Sequence, residues 1–113
     1  MLRLDPEFAT IDWRQISEEQ HSGVTGSAYW RVQTLNGVRV RSVRYTAGYL
    51  ADHWCRRGHI LHVLTGRLET ELEDGKKVNL EAGMTYVVGS GGPAHRSFAP
   101  VDTMLFIVDC DEI

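Results

Sequence analysis

SAYWRVQTLNGVRVRSVRY, residues 27–45, is the stretch on which the fold turns. In SAYWRVQTL the side chains alternate, placing Ala28, Trp30 and Val32 on one face of an extended strand and Tyr29, Arg31 and Gln33 on the other. Asn36-Gly37 comes next, a strong two-residue hairpin signal because both positions accept positive φ. VRVRSVRY then alternates valine with arginine, the pattern of a half-buried partner strand.

The same grammar continues along the chain. RLETELEDGKKVNL (67–80) predicts a second hairpin, with Leu68, Thr70 and Leu72 opposing Glu69, Glu71 and Glu73, and Asp74-Gly75 at the turn. TYVV (85–88) and MLFIV (104–108) supply further strands, punctuated by glycines at 48, 66, 83, 89, 91 and 92. Many short strands with frequent turn signals and no convincing helix predict an all-β antiparallel sandwich or barrel, of which a jelly roll is one closure. Residues 1–25 are less regular. ATIDWRQI (9–16) offers Ile11, Trp13 and Ile16 to the body of the domain or to a partner, and SEEQHSG (17–23) reads as a loop with a solvated His21. The expected organisation is an irregular segment over 1–25 and one barrel over 26–113.

At 113 residues the chain holds one core. A net charge of −3 with scattered basic residues argues against nucleic acid as a partner. No apolar run approaches the ~20 residues of a membrane span, and MLRLDPEF is too polar to be a signal peptide. A cytoplasmic location is therefore expected, with Cys55 and Cys110 as thiols and not a disulfide.

GYLADHWCRRGHILHVLTG (48–66) packs three of the five histidines and one of the two cysteines together. On an extended strand, His53 and Cys55 share a face and could reach one metal ion. His59 has the same parity but lies ~13 Å further along a straight strand, so the chain would have to bend, near Arg56-Arg57-Gly58. On a helix, Cys55, His59 and His62 would instead share a face and His53 would not. Gly58, Ile60 and Val63 favour the strand. The two readings assign His53 and His62 opposite roles.

The spacing resembles the cupins, whose first motif has the form G-x5-H-x-H-x3/4-E-x6-G and whose second has the form G-x5-P-x-G-x2-H-x3-N. Here Gly48, His53, Cys55, His59 and Gly66 follow the first motif with its opening interval one residue short. Cys55 stands in the place of the second histidine and His59 in that of the glutamate. GMTYVVGSGGPAHRSFA (83–99) resembles the second motif through Gly83, Gly91 and His95. It departs by Gly89 for the proline, one extra residue before His95, and Ala99 for the asparagine. Asp52-His53-Trp54-Cys55 with Gly58-His59 is similar, more narrowly, to the small single-domain cupins named for a DHCW motif. That group's TDW-like and AYWR-like segments match Ile11-Asp12-Trp13 and the strand at 28–31.

The resemblance implies a single-domain cupin-type jelly-roll barrel, often a homodimer, with a metal near its mouth. Carried over position by position, the implied ligand set is His53, Cys55, His59 and His95. Three imidazoles and a thiolate suit a divalent transition metal, zinc first, with iron, nickel or manganese as alternatives. Asp52 is then either an outer partner of a ligand histidine or a turn residue. His62, on the other strand face, is expected at the surface or a dimer interface. Trp54 is expected in packing, and Cys110 as a spectator in the acidic tail DCDEI. Tyr86, Phe98, Met104 and Phe106 could line a pocket, and Arg31 and Arg44 could anchor a carboxylate inside the barrel. The leading function is a metal-dependent enzyme on a small organic molecule, of oxygenase, isomerase or hydrolytic type. A non-catalytic small-molecule or metal-binding sensor is the alternative. A Cys55 nucleophile with His53 or His59 as base is a third.

Overall fold

A computed structural model describes residue 4 and residues 6–110. Ten strands run through the described residues: β1 (Glu19–Ser22), β2 (Ser27–Leu35), β3 (Val38–Tyr45), β4 (Tyr49–Leu50), β5 (Gly58–Thr65), β6 (Arg67–Leu72), β7 (Lys77–Glu81), β8 (Thr85–Val88), β9 (His95–Ala99) and β10 (Thr103–Cys110). They form two antiparallel sheets, ordered β1-β2-β3-β10-β5-β8 and β4-β9-β6-β7. The all-β two-sheet sandwich expected from the sequence is the observed architecture. No described helix is long and apolar enough to cross a membrane.

The hairpins form where the turn chemistry places them. Asn36 (φ 34°) and Gly37 (φ 77°) both take the left-handed conformation that a tight two-residue turn requires, and Leu35 pairs with Val38 across it. At the second hairpin, Asp74 Oδ1 accepts from the Lys76 backbone N–H at 2.9 Å and holds the turn. Period-2 alternation then decides what faces inward. On β5 these are His59, Leu61 and Val63, on β9 His95, Ser97 and Ala99, and on β10 Thr103, Leu105, Ile107 and Asp109. Leu61, Val63, Leu68, Leu80, Leu105 and Ile107 fill the space between the sheets, each at most 2% exposed. One end of this filled interior is polar, and the site lies there.

The segment over 1–25 is less irregular than its sequence implies. Trp13–Gln15 form a 3-10 turn, and β1 pairs with β2 from Glu19↔Trp30 to Ser22↔Ser27. His21, expected in a loop, lies in β1 with its ring stacked 3.9 Å from that of Trp30. Trp13 meets Phe106 edge-on at 6.2 Å, and the Arg31 guanidinium donates to the carbonyls of Trp13 and Ile16. The Trp13 and Arg31 contacts lay residues 13–16 across the outer face of the chain's own larger sheet, whereas His21 lies on the inner face with Ala28 and Trp30.

Candidate metal centre

Strand register assembles one half of the site. β10 lies between β3 and β5, and Asp109 stands opposite Arg39 on one side and His59 on the other. Directly opposed residues on one face are neighbours, so the Asp109 carboxylate meets both. Its Oδ2 accepts from Arg39 Nε at 2.7 Å, and its Oδ1 lies 3.3 Å from His59 Nδ1. Arg41, two residues along the same face of β3, donates from Nη2 to Oδ1 at 2.9 Å. The Arg41 guanidinium also lies over the Trp30 ring, 4.3 Å from its centroid.

The other half comes from a short backbone clasp. Cys55 and His95 form an isolated antiparallel bridge, with Cys55 N donating to the His95 carbonyl at 2.8 Å and His95 N to the Cys55 carbonyl at 3.0 Å. The clasp ties the segment before β5 to the first residue of β9. Through it, Cys55 Sγ and one nitrogen each of His59 and His95 fall within 4.8 Å of one another. The two imidazoles face each other with Nε2 to Nε2 at 3.1 Å.

The other ring nitrogens fix the tautomers. Burial would raise the Asp109 carboxyl, but the bond from His59 and the Arg41 guanidinium hold it well below the usual carboxylate range. An ionised Asp109 can only accept, so His59 Nδ1 carries the proton. Burial pushes the His59 pKa down, more than Asp109 restores, leaving a neutral ring with a lone pair at Nε2. At His95, Nδ1 lies 3.1 Å from the Pro93 carbonyl, which also only accepts. Both Nε2 atoms thus face each other with their partners already chosen. Two lone pairs at 3.1 Å repel unless a proton or a metal cation lies between them or a neighbouring donor takes one of them up, as the Tyr86 hydroxyl 2.8 Å from His59 Nε2 can.

Cys55 shows which cation holds the place when no metal does. Burial pushes its thiol up, but bonds from His95 and the Arg57 backbone N–H outweigh that and leave it below the ordinary thiol range. Burial likewise pushes His95 down, while the Cys55 sulfur and the Pro93 carbonyl pull it above the ordinary imidazole value. The pair is therefore biased toward thiolate and imidazolium. Tyr86 O–H lies 2.8 Å from His59 Nε2. Burial first, then neighbouring Tyr45 and Cys55, raise its pKa far above the ordinary phenol, so it donates.

The donor set fits a transition metal. Two nitrogens each ~2.0–2.1 Å from one ion stand roughly 3–3.4 Å apart, which matches the observed 3.1 Å. Thiolate and imidazole are ligands for borderline and soft ions, and both imidazoles already have the outer hydrogen bonds that orient ligand histidines.

Of the four residues implied by the motif, Cys55, His59 and His95 come together and His53 does not join their group. The chain bends at Asp52-His53 in place of continuing as a strand. Asp52 Oδ1 takes His53 Nδ1 at 2.8 Å, and the imidazole is 69% exposed at the rim of the cavity. His62 points outward to Thr85 Oγ1 at 2.7 Å. Both cysteines are free thiols. Trp54 sits at the surface under the Arg96 guanidinium, 5.0 Å away. Of the four pocket candidates, only Tyr86 lines the cavity. Arg31 is occupied with the N-terminal segment, and Arg44 lies over Tyr29, 4.2 Å from its ring. The arginines that strand parity turns inward are Arg39 and Arg41, and Arg57 and Arg96 also reach the cavity. Sequence reasoning missed these and Asp109, although Leu105 and Ile107 share the inward parity that carries Asp109 into the site.

A cavity of about 220 Å³ opens beside the cluster, walled by Trp30, Tyr45, Tyr49 and Tyr86 among others. Around this geometry the chain resembles known structures closely in shape. A predicted oxalate decarboxylase from Thermotoga maritima superposes with a TM-score of 0.77 at 16% identity, over 92% of this chain and 100% of that one. An RmlC-like cupin from Shewanella frigidimarina gives 0.69 at 16% identity, over 98% and 96%. This chain has the cupin fold. Another neighbour of this cupin barrel is an ectoine synthase from P. lautus, with a TM-score of 0.75 at 16% identity over 94% of this chain and 80% of that one. No protein-family model and no curated protein matches the sequence.

Proposed function

We propose that Cys55, His59 and His95 hold a divalent transition metal, and that this chain is a metal-dependent enzyme acting on a small organic molecule in the adjoining cavity. The observation that carries the reading is the 3.1 Å approach of two Nε2 atoms whose Nδ1 partners are already committed. Imidazole and thiolate together favour zinc, iron or nickel over manganese. Three protein ligands leave a coordination position open, the pattern of catalytic zinc and not of closed structural sites. A bound ion supplies Lewis acidity and a lowered pKa for bound water.

The chain's own groups supply the rest. Asp109 keeps the proton on His59 Nδ1, and the Pro93 carbonyl keeps one on His95 Nδ1. Tyr86 holds its phenolic proton, and a metal that took over the His59 Nε2 lone pair would release this hydroxyl as a donor beside the ligands. The aromatic walls exclude water from one side of any bound molecule. That fold neighbours include an ectoine synthase and a predicted oxalate decarboxylase supports catalysis over storage or sensing.

Elemental analysis of the untagged protein tests the metal. Near-stoichiometric metal is expected in the wild type and in His53→Ala and His62→Ala, and its loss in Cys55→Ser and His95→Ala. Alkylation of Cys55 by iodoacetamide should slow sharply on metal loading. Wild-type protein that takes up no metal on reconstitution would sink the proposal and leave the cavity as a binding pocket.

A further inference from the structure

We infer that the molecule admitted to the cavity is a small organic carboxylate, received by Arg39 and Arg41. The inference deepens the proposed function by naming the substrate class of the same site. It starts from a charge imbalance. Four arginines line the cavity (39, 41, 57 and 96), against one carboxylate, Asp109. Arg96 is engaged outside with Glu71 at 3.4 Å and with the Trp54 ring, and Arg57 has a contact of its own. Arg39 and Arg41 are the two that stand beside Asp109 on the inner face of the larger sheet.

Asp109 neutralises only one of these two charges. Its oxygens are already occupied by hydrogen bonds with Arg39 Nε at 2.7 Å, Arg41 Nη2 at 2.9 Å and His59 Nδ1 at 3.3 Å. Arg41 is buried, only 6% exposed, so a surplus positive charge sits where water compensates it poorly. Arg41 Nε, although 2.8 Å from Asp109 Oδ2, is buried without an aligned hydrogen-bond acceptor. Trp30, which also lines the cavity, has a buried Nε1–H without a partner.

Both guanidinium groups lie over the Trp30 ring, at 4.3 Å for Arg41 and 5.4 Å for Arg39. Stacking of this kind fixes the planes and leaves N–H edges free, the arrangement that matches a planar carboxylate. The aromatic walls accept the apolar remainder of such a molecule. The volume, about 220 Å³, falls below the roughly 300–1,000 Å³ of pockets for drug-sized ligands, so the acid is small.

Calorimetric titration tests this with glutarate and benzoate beside their neutral amides, glutaramide and benzamide, and with inorganic phosphate. Each is titrated into the full chain as metal-loaded protein and after chelator treatment. Both acids should bind at least tenfold more tightly than their amides and than phosphate. Arg39→Gln should weaken the acids about tenfold or more, while metal content stays at the wild-type level and Arg39→Lys falls between. Arg39 is the residue to change because it is partly exposed, whereas changing Arg41 leaves Asp109 buried with less support. Acids bound no better than amides or phosphate, no binding up to about 10 mM, or acid affinity untouched by Arg39→Gln would overturn the inference. Acid binding that depends on Arg39 but persists in chelated protein would support it even if the metal proposal fails. Acid binding that needs metal and ignores Arg39 would overturn it while the metal proposal stands.

Discussion

Asp109 is fully buried and answers Arg39, Arg41 and His59 at once, so a single substitution there probes both stability and the metal site. Asp109→Asn keeps the shape and removes the charge, leaving Arg41 uncompensated, and should cost about 3–5 kcal/mol in urea unfolding at neutral pH. It should also weaken metal binding by roughly 10–100-fold, because the tautomer of His59 is no longer enforced. The folded carboxyl titrates below its unfolded value. Its contribution is therefore present above about pH 4, the unfolded carboxyl range, and drains away as pH falls through the folded value. Wild-type stability should drop steeply below pH 4, and that of Asp109→Asn much less. Unfolding curves with equal acid slopes would refute this. Metal affinity should also fall with acidity, since the proton between Cys55 and His95 must leave before an ion binds. The sequence concealed Asp109 because DCDEI reads as an acidic tail. The last three residues of that tail lie outside the described residues, yet its first is the centre of the network. Spacing likewise could not show that Asp52 turns His53 out to the rim.

Among elements, the turns carry the plainest contrast. Gly66 (φ 87°) joins β5 to β6, and a Cβ there would lie 2.4 Å from the Asp102 carbonyl oxygen. Gly37 (φ 77°) faces open space. Gly37→Ala should cost only the left-handed backbone penalty, about 1–2 kcal/mol, whereas Gly66→Ala adds a backbone collision and should cost several times as much. Thermal melts of the two variants compare them directly, and equal losses would show that the packing at Gly66 can yield. The hairpins were legible because their signals are local: Asn36-Gly37 and Asp74-Gly75 specify their turns whatever the rest of the chain does. The stretch before β5 was not. His53 and Cys55 share parity on an ideal strand, but this stretch is held by Ala51 N donating to the Ser97 carbonyl and by the Cys55–His95 clasp, and both depend on a segment some forty residues away.

At the level of the molecule, the alternating strands and the motif spacing made the sandwich readable. The order of strands was not, because pairing across distant segments leaves no local mark. The homodimer expected from the sequence has an apolar surface to use: Val87 is 73% exposed on β8, and Met84 and Val78 are exposed near it. Sedimentation at micromolar concentration should give about twice the 12.8 kDa of the chain, and a persistent monomer would refute the dimer. The strand order also governs how the protein reaches its structure. β10 is the latest strand in the described chain, yet it occupies an inner place between β3 and β5. Until it docks, both neighbours show unpaired edges, and the ion-pair network on Asp109 does not exist. Folding should therefore be slow for the chain's size, in the milliseconds-to-seconds range of non-local β topologies, and its intermediates should be prone to sticking edge to edge. A metal that needs His59 oriented by Asp109 should therefore bind tightly only after β10 has docked.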